Sequence, residues 1–290
     1  MDNAKSGWLN GFIGVLIFSG SLPATKVAVQ EIDPLFLTFL RAVFASLLAI
    51  AFLYFFKAIK PKQADLKSLA ITSLGVVVGF PIFTALALEH VTSAHAIVFI
   101  GLLPLLTALF GVLRAGDTPK PAFWFFSVLG SLFVVAFAFT QDVGAAWQGN
   151  IYMTLAIITC GFGYAEGGKL SRTLGGWQVI SWALVLSLPI MVPITLYLAP
   201  PNIAAFTAAL STPVISSVFY VSAFSMFLGF VFWNRGLAIG GVARISQLQL
   251  LQPFFGLMLA ALLLGESISW QMSLACVAVV LCVAGTKKYS

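Results

Sequence analysis

Charged residues are scarce in this 290-residue chain: 8% are Asp, Glu, Lys or Arg, whereas 60% are hydrophobic. Soluble domains carry about 25% charged and 45–50% apolar residues, so the composition excludes a soluble protein. The lack of any long polar tract excludes intrinsic disorder and a sizeable domain outside a membrane. The apolar runs are continuous over about 20 residues and do not alternate in polarity, which excludes a transmembrane β-barrel. A multi-spanning helical membrane protein remains.

Groups that bind metals or carry out covalent chemistry are also few. The chain has two histidines and three cysteines, none in metal-ligand spacing, and the cysteines lie in apolar runs where a thiol behaves as a small hydrophobe. We therefore expect no disulfide, no metal and no cofactor. No Gly-rich phosphate-binding motif followed by Lys-Ser or Lys-Thr is present, so we expect no ATP hydrolysis on this chain.

Hydropathy and the clusters of Gly, Pro and polar residues divide the chain into ten predicted transmembrane helices. Each is close to or longer than the length of about 20 residues that roughly 30 Å of hydrocarbon requires. Their bounds are 8–27, 34–56, 67–88, 93–114, 121–140, 147–168, 177–198, 212–234, 242–264 and 269–286. The first stretch has no convincing cleavage site, so we expect a retained helix and no signal peptide. Since no long loop separates the helices, function must reside within the bundle.

The basic residues follow an orientation pattern. With the N-terminus in the cytoplasm, 13 Lys and Arg residues fall on the cytoplasmic side and only Lys26 on the other. This asymmetry predicts cytoplasmic N- and C-termini. The net charge of +6 is therefore an orientation signal and implies no nucleic-acid partner. The expected partners are the lipid bilayer and a small-molecule substrate, and a monomer is compatible with both.

A weak internal repeat is present. Residues 87–117 align without gaps on residues 236–266, so that Pro104 meets Pro253 and Gly116 meets Gly265. In each block the glycine is followed by an acidic residue, Asp117 or Glu266. We therefore predict two repeats, 1–143 and 144–290, with five helices each. Because five is odd, the halves enter the membrane from opposite faces, as in secondary transporters whose substrate site lies near the midplane.

The early residues carry a family pattern. The run from Gly20 to Lys26 reads Gly-Ser-Leu-Pro-Ala-Thr-Lys, and it is followed by Pro34 and by Arg41 in the second predicted helix. This pattern, with the paired block endings, resembles the drug/metabolite transporter superfamily in its ten-helix EamA-type branch. The chain departs from it where Phe18 or Ser19 replaces a common Trp. The resemblance, which is greatest to bacterial aromatic amino-acid exporters, implies export across the inner membrane.

The ninth predicted helix carries a polar stripe. At 100° per residue, Ser246, Gln249, Gln252, Pro253 and Gly256 share an arc of about 120°, whereas Leu250, Phe254 and Leu257 face elsewhere. The amides could bind a ligand's ammonium and carboxylate or could join helices. The aligned positions of the fourth helix are almost wholly apolar. A cavity with one polar and one apolar wall would suit a hydrophobic amino acid.

Two sets of candidate residues result, and for each member packing is the competing interpretation. The candidates for substrate binding are His95, Phe99, Tyr164, Tyr220, Trp233, Gln249 and Gln252. The candidates for structural or gating roles are Gly20, Pro23, Lys26, Arg41, Gly79, Pro81, Pro104, Gly163 and Pro253. Arg41 could anchor the helix or attract a carboxylate, and His95 could be a proton-linked switch or an interface residue. Glu166 is expected to pair with Lys169, three residues on.

The function predicted from these features is secondary export of small amphiphilic metabolites, foremost amino acids including aromatic ones, by alternating access. Three alternatives stay open: an exporter of nucleosides, sugars or drugs, an intramembrane enzyme acting on lipid, and a receptor or structural membrane subunit, which is disfavoured because no loop domain could bind a partner. The enzyme is disfavoured because no paired acids and no His-Glu-x-x-His arrangement lie in a span.

Overall fold

The computed structural model describes the backbone of residues 3–116, 118–140, 143–265 and 267–289, and the regular elements of these ranges are all helical. The α-helices are α1 Asn3–Ser19, α2 Ser21–Ala28, α3 Pro34–Phe55, α4 Leu66–Thr72, α5 Phe80–His90, α6 Ser93–Ile100, α7 Leu103–Ala115, α8 Pro121–Thr140, α9 Val143–Leu174, α10 Gly176–Leu198, α11 Ile203–Ala209, α12 Thr212–Phe219, α13 Gly229–Gly240, α14 Val242–Ser246, α15 Gln252–Leu264 and α16 Trp270–Tyr289. Two π-helical segments, Ser73–Gly79 and Tyr220–Leu228, and two 3₁₀ segments, Gln63–Asp65 and Gln247–Leu251, join some of them.

Seven stretches of the described residues are long and apolar enough to cross a membrane. They are Ser6–Ala28, Pro34–Phe55, Gln63–His90, Ser93–Ala115, Gly176–Leu198, Thr212–Gly240 and Val242–Leu264. Two shorter apolar helices, Pro121–Phe133 and Trp270–Cys282, accompany them. The prediction of a helical multi-pass membrane protein is confirmed, whereas the count of ten spans and the inverted repeat stay predictions.

Local signals in the sequence set several helix ends. Pro34 occupies the first turn of α3, and the Asp33 carboxylate caps it by accepting a hydrogen bond from the Phe36 backbone N at 2.8 Å. The aligned helices α7 and α15 both end at a glycine in the left-handed region, Gly116 with φ 73° and Gly265 with φ 63°. The acidic residues that follow these glycines, Asp117 and Glu266, lie outside the described residues.

Irregular backbone occurs at aligned positions of the two halves. A break at Gly101–Leu102 precedes Pro104, and the 3₁₀ segment Gln247–Leu251 precedes Pro253. The offset of 149 that relates these prolines carries the π-helical Ser73–Gly79 onto residues 222–228, which lie inside the second π-helical segment. Such departures from α-helix are frequent at functional sites. Here they bring non-α backbone into the interior of four apolar helical stretches.

Glycines allow two pairs of helices to cross in backbone contact. A Cβ on Gly75 would lie 2.8 Å from the Cα of Gly163, so the π segment Ser73–Gly79 meets α9 there. A Cβ on Gly236 would lie 2.8 Å from the backbone N of Gly11, so α13 meets α1 in the same way. Small residues are the usual means by which membrane helices approach this closely. These crossings hold α1, α9 and α13 around one central cluster of side chains.

Two chain connections are joined at one end of the bundle. The Glu31 carboxylate, between α2 and α3, accepts a hydrogen bond from the backbone N of Ser211, between α11 and α12, at 3.0 Å. This backbone hydrogen bond lowers the pKa of Glu31 below its usual value because it stabilises the ionised form.

Candidate substrate site

Four aromatic side chains pack together in the centre of the bundle. Phe18 of α1, Tyr164 of α9, and Phe230 and Trp233 of α13 are all at least nine-tenths buried. The ring centroids of Tyr164 and Trp233 are 5.5 Å apart, and those of Phe18 and Phe230 are 5.0 Å apart. Tyr164 and Trp233 were predicted as site residues, whereas Phe18 and Phe230 were not. The three-residue spacing from Phe230 to Trp233 was the one sequence signal that both face the same way.

Two buried amides lie beside this aromatic cluster. Gln249, on the 3₁₀ segment, is fully buried with its amide next to the Tyr164 phenol, and neither amide atom has a hydrogen-bond partner of good geometry. Gln252, at the start of α15, donates a long hydrogen bond of 3.5 Å to the Phe18 carbonyl, and its Oε1 has no partner. The Trp233 indole N–H is also unpaired. Buried polar groups are normally paired, so this group has unused capacity for a ligand.

A polar group lies one turn further along the first predicted span. The hydroxyls of Ser21 and Ser225 are 2.6 Å apart, and Arg41 Nη2 donates to Ser225 Oγ at 3.5 Å. All three side chains are buried, and the Arg41 Nε has no hydrogen-bond partner. The structure thus places the guanidinium in the bundle interior, between α2, α3 and the second π segment.

His95 and Phe99 form a separate pair on α6. Their rings stack with centroids 5.6 Å apart, and both side chains are buried. His95 Nε2 lies 2.7 Å from the Asn150 side-chain oxygen on α9, which fits a neutral ring donating to the amide. Asn150 is 55 residues away in the sequence, so no local pattern could have identified it.

The Tyr220 hydroxyl is engaged by the backbone of the first predicted span. It donates to the Ile17 carbonyl at 2.6 Å, while the ring stacks on Phe224. A Cβ on Gly20 would lie 2.5 Å from this hydroxyl, so glycine is required for the approach. Tyr220, the first residue of the second π segment, therefore joins that segment to the C-terminal end of α1.

The predicted structural and gating residues lie where helices meet or change direction. Lys26 Nζ donates to the carbonyls of Leu88 and Val91 at 2.5 and 3.3 Å, at the C-terminal end of α5. Gly163 contributes to the crossing with Gly75, and a Cβ on Gly79 would lie 2.9 Å from the Thr159 Cβ. The prolines are near helix starts or breaks: Pro23 in α2, Pro81 in the first turn of α5, Pro104 in that of α7 and Pro253 in that of α15.

Glu166 forms an ion-pair network at the far end of α9. Its carboxylate accepts from Arg114 Nε at 2.7 Å and from the Ser68 hydroxyl at 2.6 Å, whereas Lys169 Nζ is 4.0 Å away. Local spacing predicted Lys169 as the partner, but the nearest cation comes from α7, 52 residues earlier. The network joins the ends of α4, α7 and α9.

No group of three or more His, Cys, Asp or Glu residues in the described part of the chain could hold a metal ion. Cys160, Cys276 and Cys282 are buried and form no disulfide bond.

Comparison with known proteins agrees with this architecture. A family model described as "EamA-like transporter family" matches residues 5–139 and 147–286. The chain is 56% identical, over 100% of both chains, to a protein of Bacillus subtilis (strain 168) named "Uncharacterized transporter YdeK". It is 24% identical, over 87% of both chains, to an "Uncharacterized transporter" of Archaeoglobus fulgidus. One crystal structure superposes on this chain with a TM-score of 0.71 at 18% sequence identity. The superposition covers 97% of this chain and 98% of the other chain, and it shows the fold alone.

Proposed function

This chain belongs to the EamA-like transporter family, and from that membership we propose that it exports small amphiphilic metabolites, foremost amino acids including aromatic ones. Membership makes it a multi-pass membrane transporter and not an enzyme, in line with relatives that are named as transporters. The substrate class, the export direction and the mechanism of alternating access are the proposal.

One observation carries the proposed substrate class. Aromatic rings come from both predicted halves, Phe18 from the first and Tyr164, Phe230 and Trp233 from the second. They are buried beside two amides with unused hydrogen-bonding capacity: both amide atoms of one and the oxygen of the other have no partner. Aromatic faces stack well on an aromatic or aliphatic side chain. The amides of Gln249 and Gln252 supply the donors and acceptors that an ammonium and a carboxylate need. An amphiphilic molecule with one apolar and one zwitterionic end matches this arrangement.

Alternating access is supported by the way the helices contact one another. We propose ten spans in two inverted repeats, so that α1–α2 corresponds to α9, and the stretch from α4 to α5 to that from α12 to α13. If the two halves are exchanged, the contact between α1 and α13 corresponds to the contact between α9 and α5. The structure has both contacts. The contacts of α3 with α10 and of α8 with α16 each join corresponding helices of the two halves, so the exchange leaves them unchanged. Such pseudo-twofold bundles transport by rocking one repeat against the other.

We further propose a bacterial inner membrane location with both chain termini in the cytoplasm. The asymmetry of basic residues between the two sides supports this orientation. The Glu166 network then lies at the cytoplasmic end of the bundle, and the Glu31 to Ser211 connection lies at the other end.

The direct test is counterflow with purified protein in liposomes. Liposomes loaded with unlabelled phenylalanine, tryptophan, threonine, a nucleoside or a sugar are diluted into the labelled compound. Uptake driven by the amino acids supports the proposed substrate class. Uptake driven only by the nucleoside or the sugar supports an exporter of another metabolite class, and absence of counterflow with every compound contradicts the proposal.

We expect Gln249→Leu and Gln252→Leu to weaken transport without destabilising the protein. Losing one hydrogen bond to a ligand costs about 0.5–1.5 kcal/mol, which corresponds to roughly a two- to tenfold increase in the half-saturating concentration. The melting temperature should hold or rise for Gln249→Leu, because neither amide atom of Gln249 has a hydrogen-bond partner, and should change little for Gln252→Leu, which loses only the long hydrogen bond of 3.5 Å to the Phe18 carbonyl. Exposed Gln148 provides the matched control, Gln148→Leu, which should leave transport unchanged. A fall in melting temperature with unchanged affinity would instead identify the amides as links between helices.

A further inference from the structure

Arg41 is a buried cation for which the protein supplies little compensation. Its side chain is 5% exposed, and it lies seven residues into α3, about 10 Å from the start of that helix. One long contact of 3.5 Å to the Ser225 hydroxyl is its hydrogen bond, and Nε has no partner. A guanidinium carries five N–H donors, so most of its capacity is unused.

No carboxylate of a described residue lies within 4.0 Å of this guanidinium. The contrast with Arg114 is informative, because that arginine is one-third exposed and is paired with Glu166 at 2.7 Å. A charged side chain inside a membrane protein normally has a counter-ion or a water-filled cavity. Arg41 therefore has the charge, the burial and the free donors of a residue whose counter-ion comes from outside the chain.

The guanidinium is linked to the central cluster through one turn of the first predicted span. The Ser21 hydroxyl contacts Ser225, which Arg41 contacts in turn, and Ser21 is three residues after Phe18. The Phe18 carbonyl accepts the amide hydrogen bond of Gln252. Gly20, between α1 and α2, keeps right-handed α-region dihedrals, so these three residues correspond to about 4.5 Å along the axis. Gln252 directly, and Arg41 through Ser225, thus both reach the segment from Phe18 to Ser21, and the Gln252 oxygen has no hydrogen-bond partner.

We propose that Arg41 binds the carboxylate of the transported substrate, with Gln252 Oε1 accepting from its ammonium group and the aromatic cluster contacting its side chain. This inference rests on the proposed function and deepens it, since it selects amphiphiles with a carboxylate over neutral or cationic ones. Arginine suits the task because its planar donors match the two oxygens of a carboxylate. Ser21 and Ser225 position the guanidinium through their paired hydroxyls.

The test compares three probes that differ in one group each. Phenylalanine carries the ammonium and the carboxylate, 3-phenylpropanoate lacks the ammonium, and phenethylamine lacks the carboxylate. Binding to the full-length purified protein is measured by the rise in melting temperature with probe concentration. We expect Arg41→Gln to weaken the binding of phenylalanine and 3-phenylpropanoate at least about tenfold, because a charged hydrogen bond is lost. The binding of phenethylamine should weaken less than about twofold. Arg235→Gln, at an exposed site, removes the same charge and should leave the binding of all three probes unchanged.

A second variant keeps the inference testable if Arg41→Gln does not fold. Arg41→Lys retains the charge but not the two parallel donors, so the preference for phenylalanine over phenethylamine should fall several-fold. The inference would be overturned by an unchanged preference in either variant or by an equal loss of affinity for all three probes. A wild-type protein that only phenethylamine stabilises would also overturn it. So would a wild-type protein that none of the three stabilises.

Failure of this inference differs from failure of the proposed function. If wild-type liposomes exchange amino acids and the Arg41 variants do so with unchanged selectivity, export stands and the role of Arg41 does not. If carboxylate probes stabilise the wild type but not Arg41→Gln, and liposomes show no exchange, the site stands and export does not.

Discussion

Gly75→Ala is expected to lower the melting temperature of the purified protein by roughly 2–12 °C and to abolish most transport. The added methyl would lie 2.6 Å from the Thr159 carbonyl oxygen and 2.8 Å from the Gly163 Cα. Both atoms belong to the backbone of α9, so no side chain can move aside and the helices must separate. Overpacking of this kind costs about 1–3 kcal/mol. Thermal unfolding in detergent and counterflow in liposomes measure the two effects.

Gly167→Ala is the matched control, because Gly167 lies one turn after Gly163 on the same helix. There the nearest atom to an added methyl is the Thr72 Cγ2 at 3.3 Å, a side-chain atom. Alanine is a better helix former than glycine by about 1 kcal/mol, so this variant should melt at or slightly above the wild-type temperature. Equal melting of Gly75→Ala and Gly167→Ala would show that the crossing at Gly75 is not tight.

The sequence was sufficient for most helix positions because their signals are local. The second predicted helix, 34–56, corresponds to α3 Pro34–Phe55, whose start is fixed by the Asp33 cap and Pro34. The seventh, 177–198, corresponds to α10 Gly176–Leu198. Hydropathy gave no sign of the short helix α11 or of the two π segments. Those features depend on contacts between helices, which a single sequence does not display.

The polar stripe shows where periodicity fails. Ser246, Gln249 and Gln252 are buried and Phe254 is 40% exposed, as expected, but Leu250 and Leu257 are buried as well. The expectation assumed 100° per residue throughout, whereas Gln247–Leu251 is 3₁₀ and advances by about 120° per residue. The stripe is therefore wider than a straight helix allows, and apolar and polar side chains face the interior together.

Long-range contacts were beyond sequence reasoning. Tyr164 and Trp233 could be named one at a time, but their packing with Phe18 joins residues from opposite ends of the chain. The interpretation of Glu166 shows the same limit, since spacing can suggest Lys169 and cannot suggest Arg114. Composition and hydropathy predict which residues are candidates, and the crossing of helices decides which of them meet.

Arg114→Glu is expected to reduce transport more than tenfold and to lower the melting temperature, because it places a second carboxylate against that of Glu166. The wild-type pair, 2.7 Å between Arg114 Nε and Glu166 Oε2, holds the ends of α7 and α9 together, with Ser68 of α4 joined to the same carboxylate. In the proposed mechanism these ends separate whenever the cytoplasmic side opens. Repulsion there should shift the population toward the inward-open state. Cysteine labelling from the cytoplasmic side would detect this shift as a faster rate of modification.

The charge-swapped double variant Arg114→Glu/Glu166→Arg separates the ion pair from the positions themselves. It should recover roughly half of the lost transport, since residues in contact are energetically coupled and the opposite charges face each other again. Recovery is incomplete because Lys169 repels an arginine at position 166. This repulsion is moderate, since the Lys169 side chain is 46% exposed and keeps much of its hydration. Lys169→Gln alone, at 4.0 Å from the carboxylate, should change transport little. If the double variant transports no better than Arg114→Glu, or if Lys169→Gln matches its loss, the Arg114 to Glu166 pair is not what closes this end of the bundle.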